Sequence, residues 1–201
     1  MTLLDLHGNR FRRKLLGMHS KIASRRIPGR GVWIFLLLFL AACDQPLASA
    51  EFLVRKVFPQ VPQKSVAWLV EQRQGGGAEI LLLDVRTPEE FAVSHIRGAR
   101  RAETLGEARM VLGERPKDQP IVLYCSVGYR SSALGAALLE AGYSQVANLE
   151  GSIFAWVHAG EPVVREGIRV HQVHPYDGFW GNLLDPRYRA WPEDLATGKI
   201  D

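Results

Sequence analysis

The sequence is poor in cysteine and has only a short apolar run near its N-terminus. Its 201 residues contain two cysteines, Cys43 and Cys125, so at most one disulfide can form and a disulfide framework is excluded. The apolar run at residues 32–42 has 11 residues, whereas a membrane-spanning helix needs about 20. This run is therefore too short for an ordinary membrane span.

Acidic residues are nearly absent from the first 42 residues, where Asp5 stands against eight Lys and Arg. From Cys43 onward there are 17 basic and 20 acidic residues, a net charge of −3. The basic pI of about 9.3 therefore comes from the N-terminal segment. A basic surface is the usual sign of nucleic-acid binding. The chain from Cys43 onward has no excess of basic residues, so we predict no nucleic-acid partner.

The N-terminal segment has the order of a signal peptide. A basic stretch ends at Arg30, and the apolar run that follows has the length of a signal-peptide apolar region. The residues Leu40-Ala41-Ala42-Cys43 then resemble the lipobox of bacterial lipoproteins. The resemblance implies that residues 1–42 are removed and that the Cys43 thiol receives lipid.

A lipidated Cys43 implies an exported protein anchored to a membrane. We expect the periplasmic face of the inner membrane in a Gram-negative bacterium, and otherwise the outer face of the cell membrane. Two alternatives stay open: an uncleaved membrane anchor, and a true start at Met18. Lipidation would leave Cys125 without a disulfide partner, and a lone thiol in an oxidising compartment favours a functional cysteine.

The rest of the chain alternates predicted strands and helices, which indicates an α/β domain with a mostly parallel sheet. Residues 80–83 and 120–124 are apolar runs typical of strands buried on both faces. Thr87, followed by Pro88 and two acids, predicts a helix start. The other predicted elements are an edge strand at 52–58, helices at 65–72, 131–141 and 152–158, and a strand at 146–149.

The same pattern predicts three parts after the signal peptide. Residues 43–51 are expected to form a tether, and residues 52–160 the α/β domain. Residues 161–201 hold four prolines and several aromatic residues without a long periodic run. We expect this C-terminal extension to be irregular.

The segment from Cys125 to Ser131 joins a predicted buried strand to a predicted helix. Backbone amides in such a loop, with the positive end of the helix dipole, form a cradle for an anion. A cysteine there is expected to have a lowered pKa and to exist partly as thiolate. Gly128 allows unusual backbone angles, and Arg130 adds a positive charge suited to an oxyanion.

Two anion chemistries use a cradle of this kind, sulfur transfer and phosphoester hydrolysis. Cysteine phosphatases carry a loop with five residues between cysteine and arginine, which resembles this one but is wider. Here four residues separate Cys125 from Arg130. The spacing is similar to that of the smaller rhodanese loop.

Four motifs of this chain resemble motifs of the rhodanese family, and they follow one another in the order expected of that family. The sequence from Leu83 to Phe91 resembles the signature before the family's first helix, and Ser94 to Ala99 the signature after it. Cys125 to Ser131 matches the form Cys-x-x-Gly-x-Arg-Ser. Leu149-Glu150-Gly151 with Trp156 resembles the closing segment, except that Ser152 replaces its second glycine. We interpret this departure as a matter of packing and not of chemistry.

The resemblance covers about residues 60 to 160 and implies a three-layer rhodanese-like fold, with a central mostly parallel sheet between helices. It implies that Cys125 is the catalytic nucleophile and carries a persulfide. The amides of the loop would hold this sulfur, and their residues are Ser126, Val127, Gly128, Tyr129 and Arg130. Asp84 and Arg86 would support the loop from the neighbouring strand end.

The implied reaction moves a sulfane sulfur from a small donor, thiosulfate or a persulfide, to a thiol or to cyanide. No cofactor is expected. His171 and His174 are the nearest approach to a metal site, and without neighbouring ligands we predict no metal. The alternatives are a non-catalytic rhodanese-like module that binds a partner, carries sulfur or senses oxidants, and, with less support, a cysteine phosphatase.

Overall fold

The computed structural model describes residues 46–76 and 79–197. The predicted lipobox, including Cys43, lies outside these residues, so its lipidation stays a prediction. Within the described ranges, no helix has both the length and the apolar character needed to cross a membrane.

Strands and helices alternate through the middle of the described chain. The strands are β1 Gln63–Lys64, β2 Leu81–Asp84, β3 Arg100–Arg101, β4 Ile121–Tyr124, β5 Val146–Leu149, β6 Val163–Arg165 and β7 Ile168–Val170. The α-helices are α1 Pro46–Val57, α2 Val66–Gln74, α3 Pro88–Val93, α4 Leu105–Leu112, α5 Tyr129–Glu140, α6 Ser152–His158 and α7 Pro192–Ala196. Two short 3-10 helices span Trp180–Leu183 and Pro186–Tyr188.

Strands β1 to β5 form a parallel sheet with the order β1-β5-β4-β2-β3. All residues of β2 and β4 are buried, which confirms the prediction of strands covered on both faces, and the predicted strand β5 is buried as well. Because parallel strands present their carboxyl ends at one edge, the loops after β2, β4 and β5 lie together there. Cys125 is the first residue after β4.

Helices cover both faces of this sheet. Alternate residues of a strand point to opposite faces, so Leu82 packs in a cluster with residues of α2 and α6. Its neighbours Leu81 and Leu83 pack in a second cluster with residues of α4 and α5. The predicted α/β architecture is therefore confirmed.

The predicted edge strand at residues 52–58 is wrong, because most of that segment belongs to helix α1. Leu47, Ala50 and Val54 are buried on one side of this helix, a spacing of three and four residues that is typical of an amphipathic helix. Val54 and Phe58 pack on α5. Residues 46–51, predicted as part of a tether, are instead the first turns of this helix. The apolar residues at 52–58 suggest a strand only when these turns are left out of the pattern.

The C-terminal region is irregular, as predicted, and it is also packed. Strands β6 and β7 form an antiparallel hairpin, and the two 3-10 helices and α7 follow it. Val163, Val173 and Leu184 join the cluster beneath α2 and α6. The Ser94 hydroxyl donates to the Gln172 carbonyl at 2.6 Å. This region is thereby held against the C-terminal end of helix α3, in the connection from β2 to β3.

Candidate active site

Cys125 lies in a tight loop between β4 and α5. Its residue surface is only 1% exposed. Gly128 has φ +106°, a left-handed conformation that glycine adopts without strain. This turn brings the Gly128 amide to the sulfur, and its N–H donates to Cys125 Sγ at 3.1 Å. Helix α5 begins at Tyr129, so the positive end of its dipole lies close to the thiol.

The surroundings of Cys125 favour the thiolate. Burial raises the pKa of the thiol, but the charge of Arg130 and hydrogen bonds from the backbone amides of Ser131 and Gly128 outweigh it, and the pKa lies below its ordinary value. A thiolate is the reactive form of cysteine. The loop therefore favours the reactive form of Cys125, and the role of this residue as the nucleophile stays a prediction.

A buried polar chain continues from Ser131 into the sheet. The Ser131 hydroxyl donates to Asn148 Oδ1 at 2.6 Å. The Asn148 side-chain amide donates to Gln63 Oε1 at 2.6 Å and to the Leu149 carbonyl at 3.0 Å. These two bonds fix the amide so that its oxygen faces Ser131. Asn148 was not predicted in this chain, because nothing in a short strand sequence marks a polar residue as a partner of Ser131.

Arg130 is paired with Glu90, which the sequence did not identify. Its Nη1 and Nη2 donate to the two carboxylate oxygens of Glu90 at 2.7 and 2.8 Å, and the Ser126 hydroxyl donates to Glu90 at 3.1 Å. Burial alone would raise the pKa of Glu90, but its bonds to Arg130, the charge of Arg86 and the Thr87 amide lower it to about 2. The ion pair ties the loop to helix α3.

The C-terminal region covers the exposed side of this pair. The ring of Tyr176 lies over the Arg130 guanidinium, 4.4 Å from its centre, an arrangement that favours the cation. The Tyr176 amide donates to His174 Nδ1 at 2.9 Å. The guanidinium, which the sequence suggested for an oxyanion, is thus engaged by Glu90 along one edge and stacked by Tyr176 on one face.

The connection between β5 and α6, with the first turn of α6, makes hydrogen bonds to the backbone of the same loop. The Cys125 amide donates to Ser152 Oγ at 3.1 Å. The amide of Ile153 donates to the Cys125 carbonyl, and that of Phe154 to the Ser126 carbonyl, both at 3.2 Å. Ser152 is therefore in direct contact with the backbone of the nucleophile, which differs from the packing role that the sequence suggested.

Asp84 and Arg86 form a fully buried ion pair beside the loop. Arg86 Nη2 donates to Asp84 Oδ2 at 2.6 Å and to the Ser94 carbonyl at 2.7 Å. The Arg86 guanidinium lies 5.7 Å from the centre of the Tyr124 ring. Their position next to β4 is compatible with the predicted support of the loop, and that role stays a prediction.

The predicted site residues thus fall in one place. Ser126, Val127 and Gly128 are buried around Cys125, with Tyr129 and Arg130 in the first turn of α5. Among residues 46–76 and 79–197, no three His, Cys, Asp or Glu side chains come together in a way that could hold a metal ion. His171 and His174 belong to no such group within those ranges.

Comparison with known proteins places the chain in a family. The Rhodanese-like domain family matches residues 65–159. A sulfurtransferase of Allochromatium vinosum is 41% identical over 96 residues, which cover 47% of this chain and 88% of that protein. The thiosulfate sulfurtransferase GlpE of Pseudomonas aeruginosa is 32% identical over 87 residues, 43% of this chain and 76% of the relative.

A solved structure supports the fold. The crystal structure of a thiosulfate sulfurtransferase from Pseudomonas aeruginosa is similar with a TM-score of 0.50 and 23% identity, over 59% of this chain and 22% of that one. The predicted rhodanese-like fold is confirmed. Because the chain covers most of the Allochromatium relative at 41% identity, it belongs to the family of rhodanese-like domains.

Proposed function

We propose that this protein is a sulfurtransferase that carries sulfur on Cys125. The thiolate attacks the outer sulfur of a sulfane donor, and with thiosulfate the sulfur–sulfur bond breaks and sulfite leaves with the bonding electrons. The product is the Cys125 persulfide anion. An acceptor thiolate or cyanide then attacks the outer sulfur, forms a new persulfide or thiocyanate, and returns Cys125 as thiolate. Charge and sulfur balance in both steps.

The observation that carries this proposal is the environment of the Cys125 sulfur. A loop amide donates to Sγ at 3.1 Å, and the pKa of the thiol is lowered although the residue is buried. Covalent catalysis divides the transfer into two easier steps. Amides that already point at the sulfur stabilise negative charge without having to reorganise.

The loop spacing supports sulfur over phosphate as the group transferred. Four residues separate Cys125 from Arg130, and the guanidinium is engaged by Glu90. A tetrahedral phosphate needs a wider ring of donors than a single sulfur does. We therefore favour sulfur transfer over phosphatase activity as the function of this site.

The main alternative is a module that carries sulfur or senses oxidants through Cys125 without turnover. Such a module would use the same cysteine as the enzyme, but it would not transfer sulfur repeatedly to an acceptor. The loop has cysteine, Gly128 and Arg130 together, which favours catalysis over a purely binding role.

Intact-mass analysis after thiosulfate treatment tests the proposal. We expect the wild type to gain the mass of one sulfur atom and to lose it on addition of cyanide. Cys125→Ser should gain nothing, and Cys43→Ser, a control at the other cysteine, should still take up sulfur. Sulfur uptake by Cys125→Ser would overturn the proposal, and uptake without repeated release to an acceptor would support the carrier alternative.

We also propose that Cys43 carries the lipid that anchors the protein to the membrane. The support is the sequence alone: the basic stretch, the apolar run and Leu40-Ala41-Ala42-Cys43. Stable attachment takes two or more acyl chains, because a single chain gives only marginal binding. Cys43→Ser should leave an unprocessed precursor, and normal cleavage of this variant would contradict the anchor.

A further inference from the structure

Ser152 has a backbone conformation that a side chain disfavours. It stands where the family's closing segment has its second glycine, and its φ is +53°. The preceding Gly151, at φ +63°, is also left-handed. Left-handed backbone is strained for a residue with a Cβ. A serine that persists in this conformation at a fully buried position must make contacts that a glycine could not make.

Those contacts come from the hydroxyl group. Ser152 Oγ accepts the Cys125 amide at 3.1 Å and donates to the Leu149 carbonyl at 3.2 Å. The second bond directs the hydroxyl proton away from Cys125 and leaves a lone pair for its amide. A glycine here would remove the acceptor from a buried N–H, and an unpaired buried donor is costly.

The hydroxyl also lies close to the residue that contacts the sulfur. A Cβ built on Gly128 would lie 3.7 Å from Ser152 Oγ. Gly128 is the residue whose amide donates to Cys125 Sγ. Ser152 Oγ thus lies close to the backbone of both residues, Gly128 and Cys125, that make the contact between the amide and the sulfur.

The rest of the first turn of α6 holds only the carbonyl side of the loop. The amides of Ile153 and Phe154 bind the carbonyls of Cys125 and Ser126, whereas Ser152 binds the Cys125 amide. Three bonds on two consecutive residues fix the direction in which the Cys125 side chain leaves the backbone. The peptide before Cys125 is held on its carbonyl side by the Val85 amide, which donates to the Tyr124 carbonyl at 2.9 Å, and on its N–H side by Ser152. Loss of the Ser152 hydroxyl removes the second bond, the one at Cys125 itself.

We propose that Ser152 is a positioning residue, whose hydroxyl holds the Cys125 amide and thereby keeps Sγ at the Gly128 N–H. The inference deepens the proposed sulfurtransferase function and rests on it for its effect on turnover. The bond between the Ser152 hydroxyl and the Cys125 amide thus offsets the backbone strain at Ser152 and fixes the position of Cys125.

Two substitutions separate the hydroxyl from the backbone strain. Ser152→Ala removes Oγ and keeps the strained Cβ, whereas Ser152→Gly removes Oγ and relieves the strain. Glu166→Gly is the matched control, because Glu166 also has a left-handed backbone, at φ +50°, but lies exposed in the turn between β6 and β7. This substitution also replaces a residue with left-handed backbone by glycine, but at a position outside the Cys125 loop.

The measurements are the pH profile of Cys125 alkylation, followed on its own peptide by mass, kcat/KM with thiosulfate, and the urea midpoint of the full-length protein. Both Ser152 variants should show a higher pKa for Cys125 than the wild type. Their kcat/KM should fall by roughly ten- to a hundred-fold, since small misplacements of reacting groups can cost that much. Ser152→Gly should unfold at a higher urea concentration than Ser152→Ala, and Glu166→Gly should keep wild-type reactivity.

The outcomes distinguish this inference from the proposed function. Wild-type alkylation profiles in both Ser152 variants would overturn the positioning role. Reactivity lost in Ser152→Ala and restored in Ser152→Gly would also overturn it, because backbone geometry and not the hydroxyl would then be decisive. A wild type that takes up no sulfur, together with shifted profiles in both variants, would refute sulfur transfer and leave the positioning of Cys125 supported.

Discussion

Replacing Glu90 with glutamine tests whether the buried ion pair holds the loop. The variant keeps the size of the side chain and removes its charge, which leaves Arg130 paired with a neutral amide. The pKa of Glu90 falls from 4.5 to about 2 on folding. At about 1.4 kcal/mol per pKa unit, this shift corresponds to about 3 kcal/mol of stability at neutral pH.

An independent estimate agrees with this magnitude. Removing one partner of a buried ion pair costs about 3–5 kcal/mol. Arg130 is 21% exposed at its side chain, so water recovers part of this energy and the lower end applies. We expect Glu90→Gln to lower the free energy of unfolding by about 2–3 kcal/mol.

The sign of the pH dependence follows from a carboxyl group with a lowered pKa. The stabilisation is complete above the unfolded-state pKa of 4.5 and is lost as pH falls towards the folded-state value of about 2. The difference between wild type and Glu90→Gln should therefore be constant above about pH 6 and shrink steadily between about pH 5 and pH 2.

Urea unfolding followed by tryptophan fluorescence, at a series of pH values, measures this difference. Glu89→Gln is the control, because Glu89 is the adjacent acid and is exposed, and it should change stability little. Combining Glu90→Gln with Arg130→Met gives the coupling between the two side chains. A loss below about 1 kcal/mol, typical of a surface pair, or one that is the same at pH 3 and pH 7, would refute the electrostatic argument.

Three further predictions concern the loop and its support. Arg130→Ala should lower kcat/KM by a similar factor, roughly 10²–10³-fold, for thiosulfate and for a neutral persulfide donor, and a loss confined to thiosulfate would show that Arg130 contacts the donor. Inserting one residue between Gly128 and Arg130 should sharply reduce sulfur transfer in the thiosulfate assay, because the ring of amides widens; a wild-type rate would contradict the size argument. Gly151→Ala should lower the urea-derived stability by about 1–3 kcal/mol through overpacking, because its Cβ would come 2.6 Å from that of Ala155.

The sequence predicts the elements whose signals are local. Strands β2 and β4 fall on the apolar runs at residues 80–83 and 120–124, and the start of α3 is marked by the bond from the Glu90 amide to the Thr87 hydroxyl at 3.3 Å. The position of Cys125 between a buried strand and a helix follows from these. Helix α1 was missed because its apolar residues were divided between a predicted tether and a predicted strand. Its buried face becomes a regular pattern only when the two are joined.

Long-range partners account for what the sequence did not reveal in the site. Glu90 has a sufficient local role, since its carboxylate accepts the Thr87 amide at 3.0 Å and an acid suits the first turn of a helix. Nothing in this pattern indicates a partner 40 residues further along. Ser152 was interpreted as packing because a left-handed backbone, and hence the reason to ask what the hydroxyl does, is visible only in three dimensions.

The pairing of Arg130 also changes what can be expected of the loop towards donors. The guanidinium lowers the pKa of Cys125 through its proximity, but Glu90 balances its charge at hydrogen-bond distance and Tyr176 covers its face. An incoming anion therefore meets a neutral pair and not a free cation. The amides of the loop, whose dipoles act over a short range, are left to stabilise the sulfur. For this reason, Arg130→Ala should lower kcat/KM by similar factors for an anionic and for a neutral donor.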